Sequence, residues 1–335
     1  MTAISSIPSM AFPKARAITD ALLAPPQTTI NLRDPQSLRA EVAARLQPEL
    51  ARSPACGELR VDSRLLHLAC SGRSPTDLLG PFEWSPDAAR RPIGLEVVRA
   101  WVAGTSSLSA ATADVIERIA SRRRSHAREA KDADATLSFW LRSLPAGARG
   151  VVQAEALRWA THLITALDWP AITQRPVTIG YSEVVTEPRS NVVIAGRADL
   201  RVQLDRGTTE GRGDLSAAAF FVMGGGHPTS SSPLELGLVA VASALARRDP
   251  VPTRVVGWWP ECGRALVVGI DDELVSSTIG AVASALSRAP SLAFTRPYHR
   301  TRPSARTIHR TRETGATGAN PRPDERRRPA TLRRP

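Results

Sequence analysis

The chain has 335 residues, enough for one large domain or two ordinary ones, and 42% hydrophobic residues, enough for a real core. Its formal charge of +12 is uneven: residues 296–335 hold twelve Arg against Glu313, Asp324 and Glu325, so +9 sits there and only +3 on the rest. Three cysteines (Cys56, Cys70, Cys262) make no disulfide framework and fit a reducing cytoplasm, no apolar run approaches the ~20 residues of a membrane span, and no signal-peptide pattern opens the chain.

Residues 1–29 read as a flexible N-terminus with one short helix from Ala15 to Leu23. A mainly helical region follows over 30–149. Asp34-Pro35-Gln36-Ser37 opens a helix with Leu38, Val42, Ala43 and Leu46 at helical spacing. Leu59 to Ser63 reads as a short strand or turn, and Leu65, Leu66 and Leu68 as a helix face. Phe82-Glu83-Trp84-Ser85-Pro86-Asp87 is an aromatic turn that starts a helix, since Pro suits a first turn. Further helices are expected over Ile93–Val102, Ala110–His126 and Ala135–Leu144. Glu129-Ala130-Lys131 spells Glu-x-Lys, but beside Arg122-Arg123-Arg124 and acidic neighbours it reads as a solvated helix face. Cys56, His67 and Cys70 offer three ligands where a structural zinc site wants four, so they read as core residues.

From residue 150 the period changes. Gly150 to Trp169 is a helix with Ala156, Trp159, Ala160, Leu163, Ile164 and Leu167 on one face, and Glu155 and His162 at its edge. Strands follow at Val177–Tyr181, Asn191–Asp205 and Ser216–Met223, then an apolar helix over Pro233–Arg247. Val255–Trp259 and Ala265–Ile270 form a strand pair, and Asp271-Asp272-Glu273 opens a last helix with acids at the favoured end of its dipole. This order predicts a mixed sheet flanked by helices over 150–290, an α/β fold with a helical N-terminal region. Residues 291–335 are Arg-, Pro- and Thr-rich without period and read as a disordered tail. With only Lys14 and Lys131 as lysines, the Arg excess most simply reflects a GC-rich genome.

The chemistry-bearing segment is Gly196-Arg197-Ala198-Asp199. Alternation puts Ala198, Leu200, Val202 and Leu204 on one face and Arg197, Asp199, Arg201 and Gln203 on the other. The structural expectation is that Asp199 is half-exposed and paired with neighbouring guanidiniums. The next strand, Ser-Ala-Ala-Ala-Phe-Phe-Val-Met into Gly224-Gly225-Gly226, is apolar. Those glycines, followed by His227, have free N–H groups but no Gly-Lys-Ser/Thr ending, so they read as a flexible connection. Trp258 and Trp259 read as packing residues before base-stacking ones.

A helix with Glu, a Gly-Arg-x-Asp strand, an apolar strand ending in Gly, an apolar helix and a Trp-bearing strand pair resemble the PD-(D/E)XK nuclease superfamily in its RecB-like branch. The resemblance covers about residues 150–290, and Phe82 to Pro86 also resembles the amino-terminal part of such proteins. It implies a metal-dependent phosphodiester hydrolase with Asp199, and less surely Glu155, among its acids. Mg²⁺ or Mn²⁺ would bind at Asp199 if the site is active. The family's second acid and lysine fall near Phe221 and Met223, and its Gln-x-x-x-Tyr helix puts Glu235 and Val239 at those places, so the pattern is degenerate. Migrated ligands would be Asp214 and Glu235. The expectation is therefore a nucleic-acid-associated protein without cleavage, an accessory to a DNA-repair helicase–nuclease system. Arg197, Arg201, Arg326, Arg327 and Arg328 are the candidate DNA-binding residues. The alternatives are an active nuclease with relocated ligands, and an interaction scaffold with no nucleic-acid role.

Overall fold

A computed structural model describes residues 5–6, 15–25, 35–52, 59–71, 83–105, 107–121, 133–187, 192–204, 217–246 and 252–288. Cys56, Phe82, Arg122-Arg123-Arg124, Glu129-Ala130-Lys131, Asp214, Arg326, Arg327 and Arg328 lie outside the described residues, as does the whole of 291–335.

The amino-terminal elements are β1 (Ser5–Ser6), α1 (Ala15–Leu23), α2 (Pro35–Arg52), β2 (Leu59–Val61) and α3 (Ser63–Ser71). Then come α4 (Pro86–Val102), α5 (Leu108–Ser121), α6 (Ala133–Ser143), α7 (Ala146–Thr165) and α8 (Trp169–Thr173). The Ser85 hydroxyl caps α4 by accepting from Ala88 N at 3.1 Å. This helix continues through Pro92 into the segment expected to begin at Ile93. Pro92 removes one donor, and the burial of Ile93, Leu95, Val97 and Val98 favours the helix beyond it. The helix expected over Gly150–Trp169 instead ends at Thr165, and Asp168 then caps α8 by accepting from Ala171 N at 3.4 Å.

The carboxy-terminal elements are β3 (Val177–Glu187), β4 (Val192–Leu204), β5 (Ala217–Met223), α9 (Ser232–Leu245), β6 (Pro252–Trp259), β7 (Arg264–Gly269) and α10 (Asp272–Arg288). All seven strands join one mixed sheet. β3, β4 and β5 are consecutively antiparallel, β6 runs parallel to β5 across the α9 crossover, and β7 returns antiparallel. The expected mixed sheet between helices, with a helical amino-terminal region, is the observed architecture.

Both faces of the sheet are covered. Leu200, Val202, Leu204, Ala219, Phe221, Val256 and Trp258 join a core with α1, α4, α5 and α7. Tyr181, Ile194, Ala198, Phe220, Val255 and Trp259 join a second core with α2, α3, α9 and α10. This explains the unbroken apolar run of β5, because a strand buried on both sides has no polar face to show. Phe220 and Phe221 are both fully buried, one in each core. Trp258 and Trp259 divide the same way, so packing takes both.

One expectation about β4 is corrected. Ala198 does not share a face with Leu200, Val202 and Leu204: it packs beneath α9, and they pack beneath α4 and α7. The alternation inverts at Asp199. The register shows where: Ile179 pairs with Leu200 and Tyr181 with Ala198, while Gly180, at φ 75°, stands opposite Asp199 outside the ladder. A left-handed residue turns the pleat over, and glycine adopts that conformation without the Cβ penalty. Arg99 of α4 takes up the exposed Ile179 carbonyl, donating Nη2 at 2.5 Å and Nε at 3.1 Å.

Candidate functional site

The inversion creates the site. β3 pairs with β4 from Val192 to Val202 apart from Asp199, but the other edge of β4 is shared: β2 takes Val192 to Ile194, and β5 takes Leu200 to Leu204. Asp199 sits where β4 and β5 part. Its carboxylate fills the gap that a strand would otherwise fill, with Oδ2 accepting from Met223 N at 2.5 Å. Oδ1 accepts from Arg91 Nε of α4 at 2.7 Å. Asp199 is therefore fully buried rather than half-exposed, and its guanidinium comes from 108 residues away rather than from its own strand. Removing the carboxylate and most of the guanidinium from water is costly, and the arrangement persists because each carboxylate oxygen meets a well-placed donor.

The other expected residues do not gather on Asp199. Glu155 lies on α7 with Oε2 accepting from Arg158 Nη2 at 2.5 Å, an i,i+3 pair on the helix surface. Arg197 emerges beside Arg60, Arg91 and Asp62. Although the residue is exposed, desolvation and then the charges of Arg60 and Arg91 pull its guanidinium below its ordinary value, with Asp62 opposing. It remains a cation. Arg201 is half-buried, with its guanidinium carbon 5.5 Å from the Tyr181 ring centroid, a cation–π distance. Tyr181 stacks on Phe220 at 4.8 Å and its hydroxyl donates to Ser243 Oγ at 3.2 Å. Burial, first among several causes, pushes its phenol up to about 12.

Glu235 belongs to another cluster, at the start of α9 on the opposite side of the sheet. Its Oε1 accepts from Ser231 Oγ at 2.7 Å and lies 3.0 Å from His67 Nδ1. The same His67 nitrogen is 3.2 Å from Ser231 Oγ. His67 does not bridge serine and acid with its two ring nitrogens, and Ser231 is buried, so this is a packing cluster rather than a hydrolytic triad. His67 and Cys70 were expected in the core; the His67 side chain is 41% exposed and Cys70 is exposed, because α3 turns them away from its Leu65–Leu66–Leu68 face.

A divalent ion does not fit the residues around Asp199. Mg²⁺ and Mn²⁺ want several oxygen ligands, and both Asp199 oxygens already accept from nitrogen donors. Phe221 and Met223 present no oxygen from their side chains, and Glu155 is paired with Arg158. Among the described residues no group of three or more His, Cys, Asp or Glu side chains is placed to hold a metal.

A second feature lies at the end of β5. Gly224 N donates to Trp258 O at 2.8 Å, and the Trp259 indole lies against its Cα, so only a glycine fits. Gly226, at φ 67°, donates its N–H to Glu261 Oε2 of the β6–β7 turn at 2.7 Å. A Cβ at Gly225 would stand 3.1 Å from Arg90 Nη2. The loop expected to be a flexible connection is thus held by two hydrogen bonds, while His227 is exposed as expected. On the facing helix, the His162 imidazole is held below its ordinary value by burial first and then by Arg158 and Arg90, against Glu261. Arg91, Arg90 and Glu261 carried no signal in the sequence; Arg90-Arg91 sits in an ordinary helical stretch, and only the fold brings it to β4 and β5.

No family model matches the chain, and no curated protein matches it.

Proposed function

We propose that this is a nuclease-like, nucleic-acid-associated protein of the PD-(D/E)XK type that has lost phosphodiester cleavage, and that it serves as an accessory to a DNA-repair helicase–nuclease system. The observation that carries the reading is the Asp199–Arg91 pair. The carboxylate that would hold a catalytic metal is buried between a guanidinium and a backbone N–H. An internal cation takes the place a divalent ion would need, and Phe221 fills the place of a second acid with core. DNA contact falls to Arg197 beside Arg60, and to the Arg-rich segment over 296–335. The test is a pair of measurements on the full chain. Incubation of single- and double-stranded DNA with Mg²⁺ or Mn²⁺ is expected to yield no products, while low-salt binding weakens steeply with added salt. Cleavage that Asp199→Asn abolishes would establish the active-nuclease alternative instead.

One observation favours a second reading. Arg90, Arg91 and Arg158 each already pair with a carboxylate, on Asp87, Asp199 and Glu155, and Arg60 lies 3.8 Å from Asp62. The described α/β unit therefore offers few uncompensated cations near the site. Binding that vanishes when residues 291–335 are deleted would leave that unit as an interaction scaffold and the tail as the DNA contact. No helix of the described residues is long and apolar enough to cross a membrane.

A further inference from the structure

The Gly226 N–H already holds an anion, namely the carboxylate of Glu261 at 2.7 Å. Glu261 is exposed at the tip of the β6–β7 turn and, among the described residues, is held by that one hydrogen bond, so it can swing into water. Arg90 stands over the adjoining Gly225; His162 of α7 feels the charges of both Arg90 and Glu261, and Arg158 lies one turn before it on the same helix face. Each arginine is tied to a surface acid, Arg90 to Asp87 at 2.7 Å and Arg158 to Glu155 at 2.5 Å. Such pairs contribute little when water reaches them, and each has one partner in water: Asp87 is 75% exposed against 23% for Arg90, and Arg158 57% against 27% for Glu155. Each pair can therefore open at its exposed partner, Asp87 leaving Arg90 and Arg158 leaving Glu155, and the guanidinium can take a better anion.

We infer that Gly226 N–H, Arg90 and Arg158 form a binding site for a phosphate monoester, which Glu261 occupies in the free protein and which the ligand takes by displacing it. A monoester suits the place better than a phosphodiester. It carries up to two negative charges and three terminal oxygens, enough to meet a backbone N–H and two guanidiniums at once, whereas a diester offers one charge and two such oxygens. The His162 ring, kept neutral by its surroundings, adds a hydrogen-bonding nitrogen without adding charge. The source is either the phosphorylated end of a nucleic-acid strand or a small phosphate; the first rests on the nucleic-acid reading above, the second does not.

The experiment measures binding to the full chain of two identical short single strands, one ending in phosphate and one in hydroxyl, with inorganic phosphate as a third arm. The phosphorylated strand is expected to bind on the order of tenfold more tightly, the worth of one or two charge-assisted hydrogen bonds. Arg158→Ala, at an exposed position, is expected to bring that ratio to one. Glu261→Gln, which removes the competing charge, is expected to strengthen inorganic phosphate binding severalfold. If both strands bind equally in the wild type, or the ratio survives Arg158→Ala, the strand-end form of the inference is overturned while the nucleic-acid reading stands. If neither strand binds, that reading fails, and the inorganic phosphate arm decides the site alone: tighter binding by Glu261→Gln supports it, and absent or unchanged binding overturns it.

Discussion

Asp199 and Glu235 lie on opposite sides of the same sheet, each beside a nitrogen base, and the two pairs do different work. Asp199 is fully buried, with both oxygens held by donors from two other elements. Glu235 keeps 24% of its side chain in water and meets a His67 that is 41% exposed. The first pair ties α4, β4 and β5 together at a break in the sheet. The second closes the start of α9 against α3. Burial, more than the identity of the acid, decides which pair the fold depends on.

Breaking the buried pair is expected to have the largest effect. Arg91→Met leaves the Asp199 carboxylate without its cation in the core, and unpairing a buried ion typically costs about 3–5 kcal/mol. Urea denaturation reads this directly. The double variant Arg91→Met with Asp199→Asn sharpens the point, because an amide oxygen can still accept from Met223 N without a charge to balance. It is expected to recover most of the loss. Equal instability in the single and double variants would mean that shape, rather than charge, holds this junction.

The next effect belongs to the α9 face. A Cβ at Gly196 would stand 2.7 Å from Ala242 Cβ and 2.9 Å from Val239 Cα, so Gly196→Ala must push α9 away from β4. Overpacking of this kind costs about 1–3 kcal/mol. The glycine of Gly196-Arg197-Ala198-Asp199 is thereby explained by helix packing, with no ligand required. A thermal melt that leaves the variant within error of the wild type would show that α9 shifts freely.

Those two positions mark how far the sequence could be read. The strand–strand–strand–helix–strand–strand–helix order was legible because β5 and α9 are long apolar runs with different periods, and Ser85-Pro86-Asp87 announces a helix start. The site was less legible for a local reason. Strict alternation assigns every second residue to one face, yet Gly180 at φ 75° turns both β3 and β4 over at Asp199. A glycine in one strand cannot be matched by sequence to the residue it will face in the next. Arg91 is further out of reach, since nothing in Asp87-Ala88-Ala89-Arg90-Arg91 distinguishes the arginine that meets Asp199 from the one that stands over Gly225.

The exposed pair supplies the contrast. His67→Gln removes the base beside Glu235, and an exposed pair contributes about 0–1 kcal/mol. Ser231 Oγ continues to donate to Glu235 Oε1 at 2.7 Å, so the acid keeps a partner at the start of α9. A loss in urea denaturation comparable with that of Arg91→Met would erase the distinction between the two sides of the sheet.

His162 gives the smallest effect and tests the electrostatics around Gly226. Burial, then Arg158 and Arg90, hold its imidazole below the ordinary value of 6.5 in the folded chain. The unfolded chain therefore takes up this proton first as pH falls. Stability tied to the neutral ring is full above about pH 6.5, declines as pH drops below it, and stops declining once the folded ring also protonates. His162→Gln removes that proton uptake, so its stability is expected to fall less steeply than the wild type's on the acid side of 6.5 and to run parallel above it. Arg158→Ala removes one of the opposing charges and is expected to fall between the two. Should the wild type and His162→Gln decline in parallel through that window, the cations facing Gly226 would not be acting on the imidazole, and the cluster that holds Glu261 would be looser than its hydrogen bond suggests.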